Sequence, residues 1–236
     1  MRYDIVIVGC GITGITLANL FADRQKKSVI IIEKRDHIGG NCYDYRNEAG
    51  LMVNKYGAHI FHTSNVEVWR FVNRFTAFND YVHYVKILYK GEYYDWPITL
   101  DTISKVYGRQ FDAEEARELL RKEAVDTRGD NFESVMIKQV GPLLYEMFIK
   151  NYSEKMWGKP ASKLSSRLAF RIPIRFNNDK RLFTDPYQGV PIHGYTEMFK
   201  NMLDNQRIEI VLGTNYESLL PKLNYETLFV SSPIDE

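Results

Sequence analysis

The chain has 236 residues, of which 44% are apolar and 26% are charged, and its formal net charge is +1. This length and composition are typical of one large or two small globular domains with a real hydrophobic core. The near-neutral charge argues against nucleic acids and anionic membranes as partners. Cys10 and Cys42 form neither a disulfide framework nor a metal-binding spacing, so no metal is predicted. A strand-like run starts at Tyr3, and no apolar run approaches the roughly 18 residues of a membrane span, which predicts a cytoplasmic protein.

The N-terminal segment has the pattern of a strand, a glycine-rich turn, a helix and a second strand. Tyr3–Val8 is a short apolar run typical of a buried parallel strand, and Ile12–Arg24 has apolar residues at helical spacing. Val29–Ile32 forms a second apolar run that ends at Glu33. This arrangement predicts the first βαβ unit of a doubly wound α/β sheet.

The middle of the chain changes to hairpin and helical patterns. Strand-like runs at Tyr84–Tyr89 and Glu92–Trp96 flank a Lys-Gly turn and predict a hairpin. Residues 100–155 are helical in pattern, including Asp112–Glu123 with an aspartate at its start and Leu143–Asn151 after a Gly-Pro break. The helical segment is therefore predicted to be inserted into the α/β domain.

The C-terminal third returns to an α/β pattern. Strand and loop are expected after Trp157-Gly158, since prolines follow at four positions up to 191. Thr196–Leu203 is predicted to be a helix, and Ile208–Leu212 and Thr227–Val230 are predicted to be strands.

The turn after the first strand has the sequence Gly-Cys-Gly-Ile-Thr-Gly, which is the dinucleotide-binding pattern. Gly9 permits the tight turn, Gly11 lets a diphosphate approach the backbone, and Gly14 lets the helix pack on the strand. Glu33 follows Gly14 at the spacing of a carboxylate that binds a ribose hydroxyl, and an acidic residue there argues against NADP. The alternative is a glycine turn that holds no ligand.

Gly39-Gly40-Asn41 follows Glu33 and resembles the second motif of the glutathione-reductase-like FAD family. The resemblance favours FAD over NAD and implies a Rossmann-like fold with an inserted helical substrate domain and part of an antiparallel sheet. The predicted domains are residues 1–80 and 195–236 for the FAD-binding domain, 81–98 and 159–194 for the sheet and hairpin segment, and 99–158 for the helical substrate domain.

Five stretches resemble UDP-galactopyranose mutase in their order and spacing; they are residues 33–41, 55–63, 152–158, 171–175 and 187–195. The resemblance implies an FAD-dependent isomerase that interconverts UDP-galactopyranose and UDP-galactofuranose for cell-surface polysaccharide. It implies that N5 of the reduced flavin attacks the anomeric carbon and that the sugar ring opens and recloses without net redox.

The same resemblance assigns roles to the cofactor side of the site. The residues that it implies for FAD binding are Gly9, Gly11, Thr13, Gly14, Glu33, Gly40, Asn41 and His59. It implies that His59 lies near the flavin ring and acts in catalysis. The alternative for His59 and His62 is that both are partly buried histidines that bind backbone groups, and for His62 the choice stays open.

The resemblance also assigns the substrate side. The residues that it implies are Phe148, Tyr152, Ser153, Trp157 and Arg171. Phe148 and Tyr152 lie four residues apart and are expected to share a helix face beside the uridine, although the spacing alone favours a core role. Arg171 is implied to grip the diphosphate, whereas Arg175 is expected to be an exposed surface arginine.

Three features depart from the family pattern. Leu182 stands where a tyrosine is usual, His83 stands where an asparagine is usual, and the sequence ends at Glu236, before the family's later segment. Two interpretations follow: a mutase acting on a UDP-sugar, or a non-catalytic FAD- or nucleotide-binding remnant or half of a split enzyme. The partner is then a second copy of the chain or a complementing C-terminal chain. A third, weaker interpretation is an FAD oxidoreductase of related fold.

Overall fold

The computed structural model describes residues 2–125 and 129–232. The strands are β1 (Arg2–Val8), β2 (Val29–Ile32), β3 (Asp44–Arg46), β4 (Met52–Asn54), β5 (Phe61–Thr63), β6 (Val85–Tyr89), β7 (Glu92–Trp96), β8 (Tyr187–Gly189), β9 (Ile208–Val211) and β10 (Asn224–Val230). The α-helices are α1 (Ile12–Arg24), α2 (Val66–Val72), α3 (Leu100–Tyr107), α4 (Ala113–Glu123), α5 (Phe132–Leu144), α6 (Lys150–Trp157), α7 (Tyr195–Leu203) and α8 (Tyr216–Leu219).

The chain forms two compact units. The first contains the residues up to Tyr81 and from Asp185 onward, and the second contains Val82–Thr184. A four-stranded parallel sheet in the order β10-β1-β2-β9 forms the centre of the first unit. This sheet confirms the predicted α/β class, whereas the finer division into three domains stays a prediction. The predicted C-terminal boundary at residues 233–236 lies outside the described residues.

Both faces of the parallel sheet are covered by apolar side chains. Ile5 and Ile7 point into a core that includes residues of α1 and α7, whereas Val6 points to the other face beside Ile30 and Ile32. Because neighbouring residues of a strand face opposite sides, a strand that is buried on both sides has to be apolar throughout. The continuous apolar runs of β1 and β2 follow from this position.

The first unit also contains two small antiparallel pairs that the sequence patterns did not predict. β3 pairs with β4, and β5 pairs with β8. The carboxylate of Asp44, at the start of β3, accepts hydrogen bonds from the N–H groups of Tyr195 (2.6 Å) and Thr196 (2.8 Å). A side chain distant in sequence therefore caps the first turn of α7, which begins one residue earlier than predicted.

The second unit consists of the β6–β7 hairpin and helices α3 to α6 around their own core. Its predicted hairpin and its predicted helix after Asp112 are both present. The break predicted at the Gly-Pro pair is present, because Gly141, at φ 76°, kinks α5. The helix predicted to end at Asn151 continues instead, since a π-helical turn, Tyr145–Ile149, leads into α6. The helical structure thus extends to Trp157, because the π-helical turn redirects the chain without ending the helix.

The segment after Trp157 is less strand-rich than predicted. Two short 3-10 helices, Ala161–Lys163 and Ser166–Arg171, occupy its first part, and β8 is the strand assigned within its described residues. Helix α2 was not predicted, although Asn65 caps it by accepting hydrogen bonds from two backbone N–H groups. Among residues 2–125 and 129–232, no helix has the length and apolarity that crossing a membrane requires.

Candidate dinucleotide-binding site

A crevice of about 1120 Å³ opens in the first unit, at the carboxyl ends of the parallel strands. Val8 and Ile32, the last residues of β1 and β2, line its wall, together with Ser231 and Ser232 directly after β10 and with the segment after β9. β2 and β10 lie on opposite sides of β1, so the crevice is at the point where the order of strands reverses. Ligands of open α/β sheets bind at such a point.

The glycines of the turn after β1 have distinct positions. A Cβ atom at Gly11 would have open space, with the Cα atom of Gly40 as its nearest neighbour at 3.9 Å. A Cβ atom at Gly14 would instead lie 2.0 Å from the carbonyl oxygen of Gly9. Gly11 therefore keeps the crevice free of side-chain atoms, whereas Gly14 lets α1 pack against the turn.

Seven of the eight residues assigned to the cofactor line this one crevice. They are Gly9, Gly11, Thr13, Glu33, Gly40, Asn41 and His59. Gly14 is buried beside the turn. At Gly11, at the start of α1, the crevice wall consists of backbone without a side chain. The first N–H groups of a helix have no partner within the helix, so this part of the wall favours an anion.

Glu33 is buried, and its carboxylate binds two backbone N–H groups. Oε2 accepts a hydrogen bond from Cys10 at 2.7 Å, and Oε1 accepts one from Arg35 at 2.8 Å. The carboxylate thus ties the glycine turn to the chain after β2. Each oxygen has a further lone pair, so the predicted bond from a ribose hydroxyl is compatible with these contacts and stays a prediction.

Two parts of the crevice were missed by the sequence analysis. Arg35 lines it and donates from Nη2 to Oδ1 of Asn41 at 3.0 Å. The Glu-Lys-Arg sequence after β2 was the available signal for Arg35. Residues 214–217, after β9, form another wall, and no local pattern marks them because the fold brings them there from far along the chain.

The histidines of residues 55–63 lie in different surroundings. His59 lines the crevice and is partly buried, and its Nδ1 lies 2.9 Å from the carbonyl oxygen of Gly57. A carbonyl accepts only, so Nδ1 carries a proton and Nε2 is left to face another group. His62 is more exposed, and its Nδ1 lies 2.8 Å from a carboxylate oxygen of Asp185.

The two cysteines are poor nucleophiles. Burial, together with the nearby charge of Glu33, raises the pKa of Cys10 from its ordinary 9.0 to about 12. Burial, and then the charge of Asp44, raises the pKa of Cys42, which lines the crevice. Both thiols are therefore protonated at neutral pH. Within the described ranges, no group of three or more His, Cys, Asp and Glu side chains is arranged to hold a metal.

The residues assigned to the substrate lie in the second unit and differ in exposure. Phe148 is buried, with its ring centroid 5.1 Å from that of Tyr94, and Ser153 is buried as well. Tyr152 and Trp157 expose 59% and 48% of their surface. The expectation that Phe148 and Tyr152 share one helix face is therefore wrong, because the π-helical turn that contains Phe148 interrupts the 3.6-residue periodicity.

Arg171, the last residue of the second 3-10 helix, and Arg175, four residues later, have different environments. Arg171 is exposed, as a residue that binds a ligand from solvent requires. The expectation that Arg175 is an exposed surface residue is wrong: it is partly buried, and its guanidinium donates to three backbone carbonyls, those of Asp179, Arg181 and Leu182. Arg175 thus holds the following loop in place.

The two departures from the family pattern in this unit are neighbours. The N–H group of Leu182 donates to the carbonyl oxygen of His83 at 2.8 Å. Both side chains are partly buried. The two residues that differ from the family pattern therefore lie side by side in the second unit.

Comparison with known proteins agrees with this crevice. The profile of the NAD(P)-binding Rossmann-like domain matches residues 7–75, and the profile of UDP-galactopyranose mutase matches residues 147–236. The chain is 39% identical to dTDP-fucopyranose mutase of Escherichia coli and 38% identical to the probable UDP-galactopyranose mutase of Klebsiella pneumoniae, each over 98% of this chain. The chain belongs to the UDP-galactopyranose mutase family. The predicted family and the predicted Rossmann-like fold are thereby confirmed.

This mutase-family chain spans only part of the length of the relatives that it matches. The alignments span 63% and 61% of the Escherichia coli and Klebsiella pneumoniae proteins, which is less than two thirds of their length. A crystal structure of reduced UDP-galactopyranose mutase has the same fold over 89% of this chain and 48% of its own, with a TM-score of 0.67 at 17% identity.

Proposed function

We propose that the first unit binds FAD and that the chain carries out the pyranose–furanose isomerisation of a nucleotide-linked sugar. The observation that carries the proposal is the crevice at Gly11, where bare backbone leaves room for a diphosphate. Its volume of about 1120 Å³ lies just above the range of roughly 300–1,000 Å³ for pockets that bind small molecules, which fits a large ligand such as a dinucleotide. When bound and reduced, the flavin supplies the nucleophile for the anomeric carbon of the sugar.

The residues of the first unit have defined tasks in this proposal. The N–H groups at the start of α1, including that of Thr13, and the dipole of this 13-residue helix stabilise the diphosphate. Glu33 accepts a hydrogen bond from a ribose hydroxyl, and Asn41 and Gly40 close the opposite wall. His59 lines the same crevice with Nε2 free of the Gly57 contact, and it would lie near the flavin ring.

The residues of the second unit bind the nucleotide sugar. Tyr152 and Trp157 present exposed aromatic surface on which a base stacks, and this stacking contributes about 1–3 kcal/mol per base. Phe148 and Ser153 support them from the buried side. Arg171 is exposed and neutralises the diphosphate as it leaves the anomeric carbon, so it acts in catalysis.

UDP-galactopyranose is the first substrate that we propose. Its support is the matching family profile and the relative from Klebsiella pneumoniae. dTDP-fucopyranose is the second, because the relative named for that sugar has a nearly equal identity of 39%. Leu182 and His83 differ from the residues that are usual in the family. A nucleotide sugar with another sugar or another base is therefore an alternative substrate.

The test is to purify the chain, record its flavin absorption and assay the dithionite-reduced protein. We expect a yellow protein that converts UDP-galactofuranose to the pyranose or acts on the dTDP-fucose pair. Arg171→Gln is expected to lower turnover by about 100-fold or more with unchanged flavin content. The matched variant Arg167→Gln, an exposed arginine of the same 3-10 helix, is expected to keep the wild-type rate.

Two results would contradict the proposal in different ways. A protein that stays colourless after incubation with FAD would refute the cofactor. A yellow protein that converts neither nucleotide sugar after reduction would refute the mutase activity and favour a non-catalytic nucleotide-binding role. Activity that appears only with an added polypeptide corresponding to the relatives' remaining segment would instead support a complementing chain.

A further inference from the structure

Arg35 has a hydrogen-bonding group that the protein does not use. Its guanidinium donates from Nη2 to Asn41 at 3.0 Å and lies with Cζ 4.5 Å from the ring centroid of Tyr56. Nη1 is buried, and nowhere in residues 2–125 and 129–232 does it have a hydrogen-bond partner. A buried donor without an acceptor is unfavourable, so this arrangement gains from an acceptor that enters beside it.

The ring beside Arg35 is itself fixed by a histidine. The hydroxyl oxygen of Tyr56 lies 2.8 Å from Nε2 of His37, whose Nδ1 lies 2.9 Å from the carbonyl oxygen of Ile38. Because a carbonyl only accepts, we assign the proton to Nδ1, and the Tyr56 hydroxyl then donates to Nε2. His37 is buried and stacks on Tyr43 with ring centroids 3.9 Å apart.

These contacts form a continuous series from a buried histidine to the crevice. His37 fixes the hydroxyl end of Tyr56, the ring face of Tyr56 holds the guanidinium by a cation–π contact, and the guanidinium binds Asn41. Asn41 follows Gly40, whose Cα is the nearest atom to the open space above Gly11. Arg35 is thus held on the wall of the crevice beside the place where a diphosphate approaches the backbone.

We propose that Arg35 binds a phosphate of the bound dinucleotide and that Tyr56 and His37 are its positioning residues. A phosphate oxygen in the crevice would be the acceptor that Nη1 lacks. A guanidinium suits this ligand because it is always charged and presents N–H groups in a fixed plane. The inference rests on the proposed function, since it requires the first unit to bind a dinucleotide.

A merely structural role would give a different pattern of affinities. If Arg35 only ties Asn41 in place, its loss weakens every ligand of the crevice to the same extent. If Arg35 binds a phosphate, its loss lowers the affinity for ADP and leaves the affinity for adenosine unchanged. The ratio of the two dissociation constants therefore separates the roles, and it does not depend on any chemical step.

The experiment measures adenosine and ADP binding by calorimetry at about 150 mM salt, where distant charges are screened. For Arg35→Gln we expect ADP to bind roughly 10- to 100-fold more weakly, with the adenosine affinity within about twofold of wild type. Arg35→Lys keeps the charge without the planar group and is expected to be intermediate. Tyr56→Phe, which removes only the hydroxyl, is expected to weaken ADP by a few-fold, about 3 to 10.

Lys55→Gln is the matched control for the loss of one positive charge. Nζ of Lys55 lies 5.7 Å from the ring centroid of the same tyrosine, but its side chain is exposed. We expect this variant to bind ADP within about twofold of wild type. Thermal unfolding of each protein without ligand shows whether any variant has lost its fold.

Four outcomes overturn the inference. Equal losses for adenosine and ADP in Arg35→Gln show a structural role, and an unchanged ADP affinity shows no role. In both cases wild-type binding leaves the proposed function standing. A wild-type chain that binds neither ADP nor FAD refutes the proposed function, and the inference falls with it. If Arg35→Gln does not fold, an Arg35→Lys variant that binds both ligands as wild type refutes the phosphate contact.

Discussion

At the residue scale, two glycines of the same motif, Gly11 and Gly14, have different roles: one leaves room for a ligand and the other allows close packing. Gly11 faces open space in the crevice, and its backbone at φ −82° and ψ −177° is extended, so alanine fits there without strain. Gly14 faces the carbonyl oxygen of Gly9, and a Cβ atom 2.0 Å from that oxygen cannot be accommodated without moving the turn. A motif read from sequence assigns both to one site, whereas their surroundings give them different tasks.

The corresponding prediction compares Gly11→Ala with Gly14→Ala. We expect Gly14→Ala to lower the free energy of unfolding by about 1–3 kcal/mol or more, because of overpacking. Gly11→Ala is expected to change it by less than about 1 kcal/mol, the cost of a weaker helix cap, but to weaken ADP binding. Urea unfolding and calorimetry measure the two effects. A Gly11→Ala protein that binds ADP as wild type would refute the approach of a diphosphate to this backbone.

The elements that the sequence predicts well are those with local causes. The bounds of α1 and β2 agree with the prediction, because a glycine turn, a 3.6-residue apolar spacing and a run of buried residues mark them. The π-helical turn at Tyr145–Ile149 has no such local signal in the sequence. The crevice was predictable at the glycine turn and at Glu33, but not at residues 214–217, which only the sheet order brings there.

Helix α7 shows an element that depends on a distant side chain. Its N-terminal N–H groups are bound by Asp44, which is buried, and the hydroxyl of Thr196 donates back to the carbonyl oxygen of Asp44 at 2.7 Å. A Cβ atom at Gly194 would lie 2.7 Å from Oδ2 of Asp44, so only glycine leaves room for the carboxylate. The cap therefore joins β3 to α7 within the first unit.

We expect Asp44→Ala to lower the free energy of unfolding by about 2 kcal/mol or more, because it leaves one buried and one partly buried N–H group without an acceptor. Asp44→Asn keeps one acceptor oxygen and is expected to lose less. The control is Asn215→Ala, which removes the exposed cap of the four-residue helix α8 and is expected to cost about 1 kcal/mol or less. Equal losses for Asp44→Ala and Asn215→Ala in urea unfolding would argue against a buried cap.

At the scale of the whole molecule, the two units differ in how the chain forms them. The first is assembled from two separate segments, whereas the second is the continuous segment Val82–Thr184. The second has its own core, which includes the fully buried Tyr145, Met136 and Leu144. A continuous segment of this size with its own core meets the requirements of an independent domain.

We therefore expect residues 82–184, expressed alone, to show a helical circular dichroism spectrum and cooperative thermal unfolding. Two adjacent leucines of α5 provide a matched test of the core: Leu144 is fully buried, and Leu143 exposes 44% of its surface. Leu144→Ala is expected to cost about 2–5 kcal/mol, from lost burial and the cavity that it leaves, whereas Leu143→Ala is expected to cost less than about 1 kcal/mol. An isolated segment without a cooperative transition, or with equal losses for both leucines, would show that this core forms only within the whole chain.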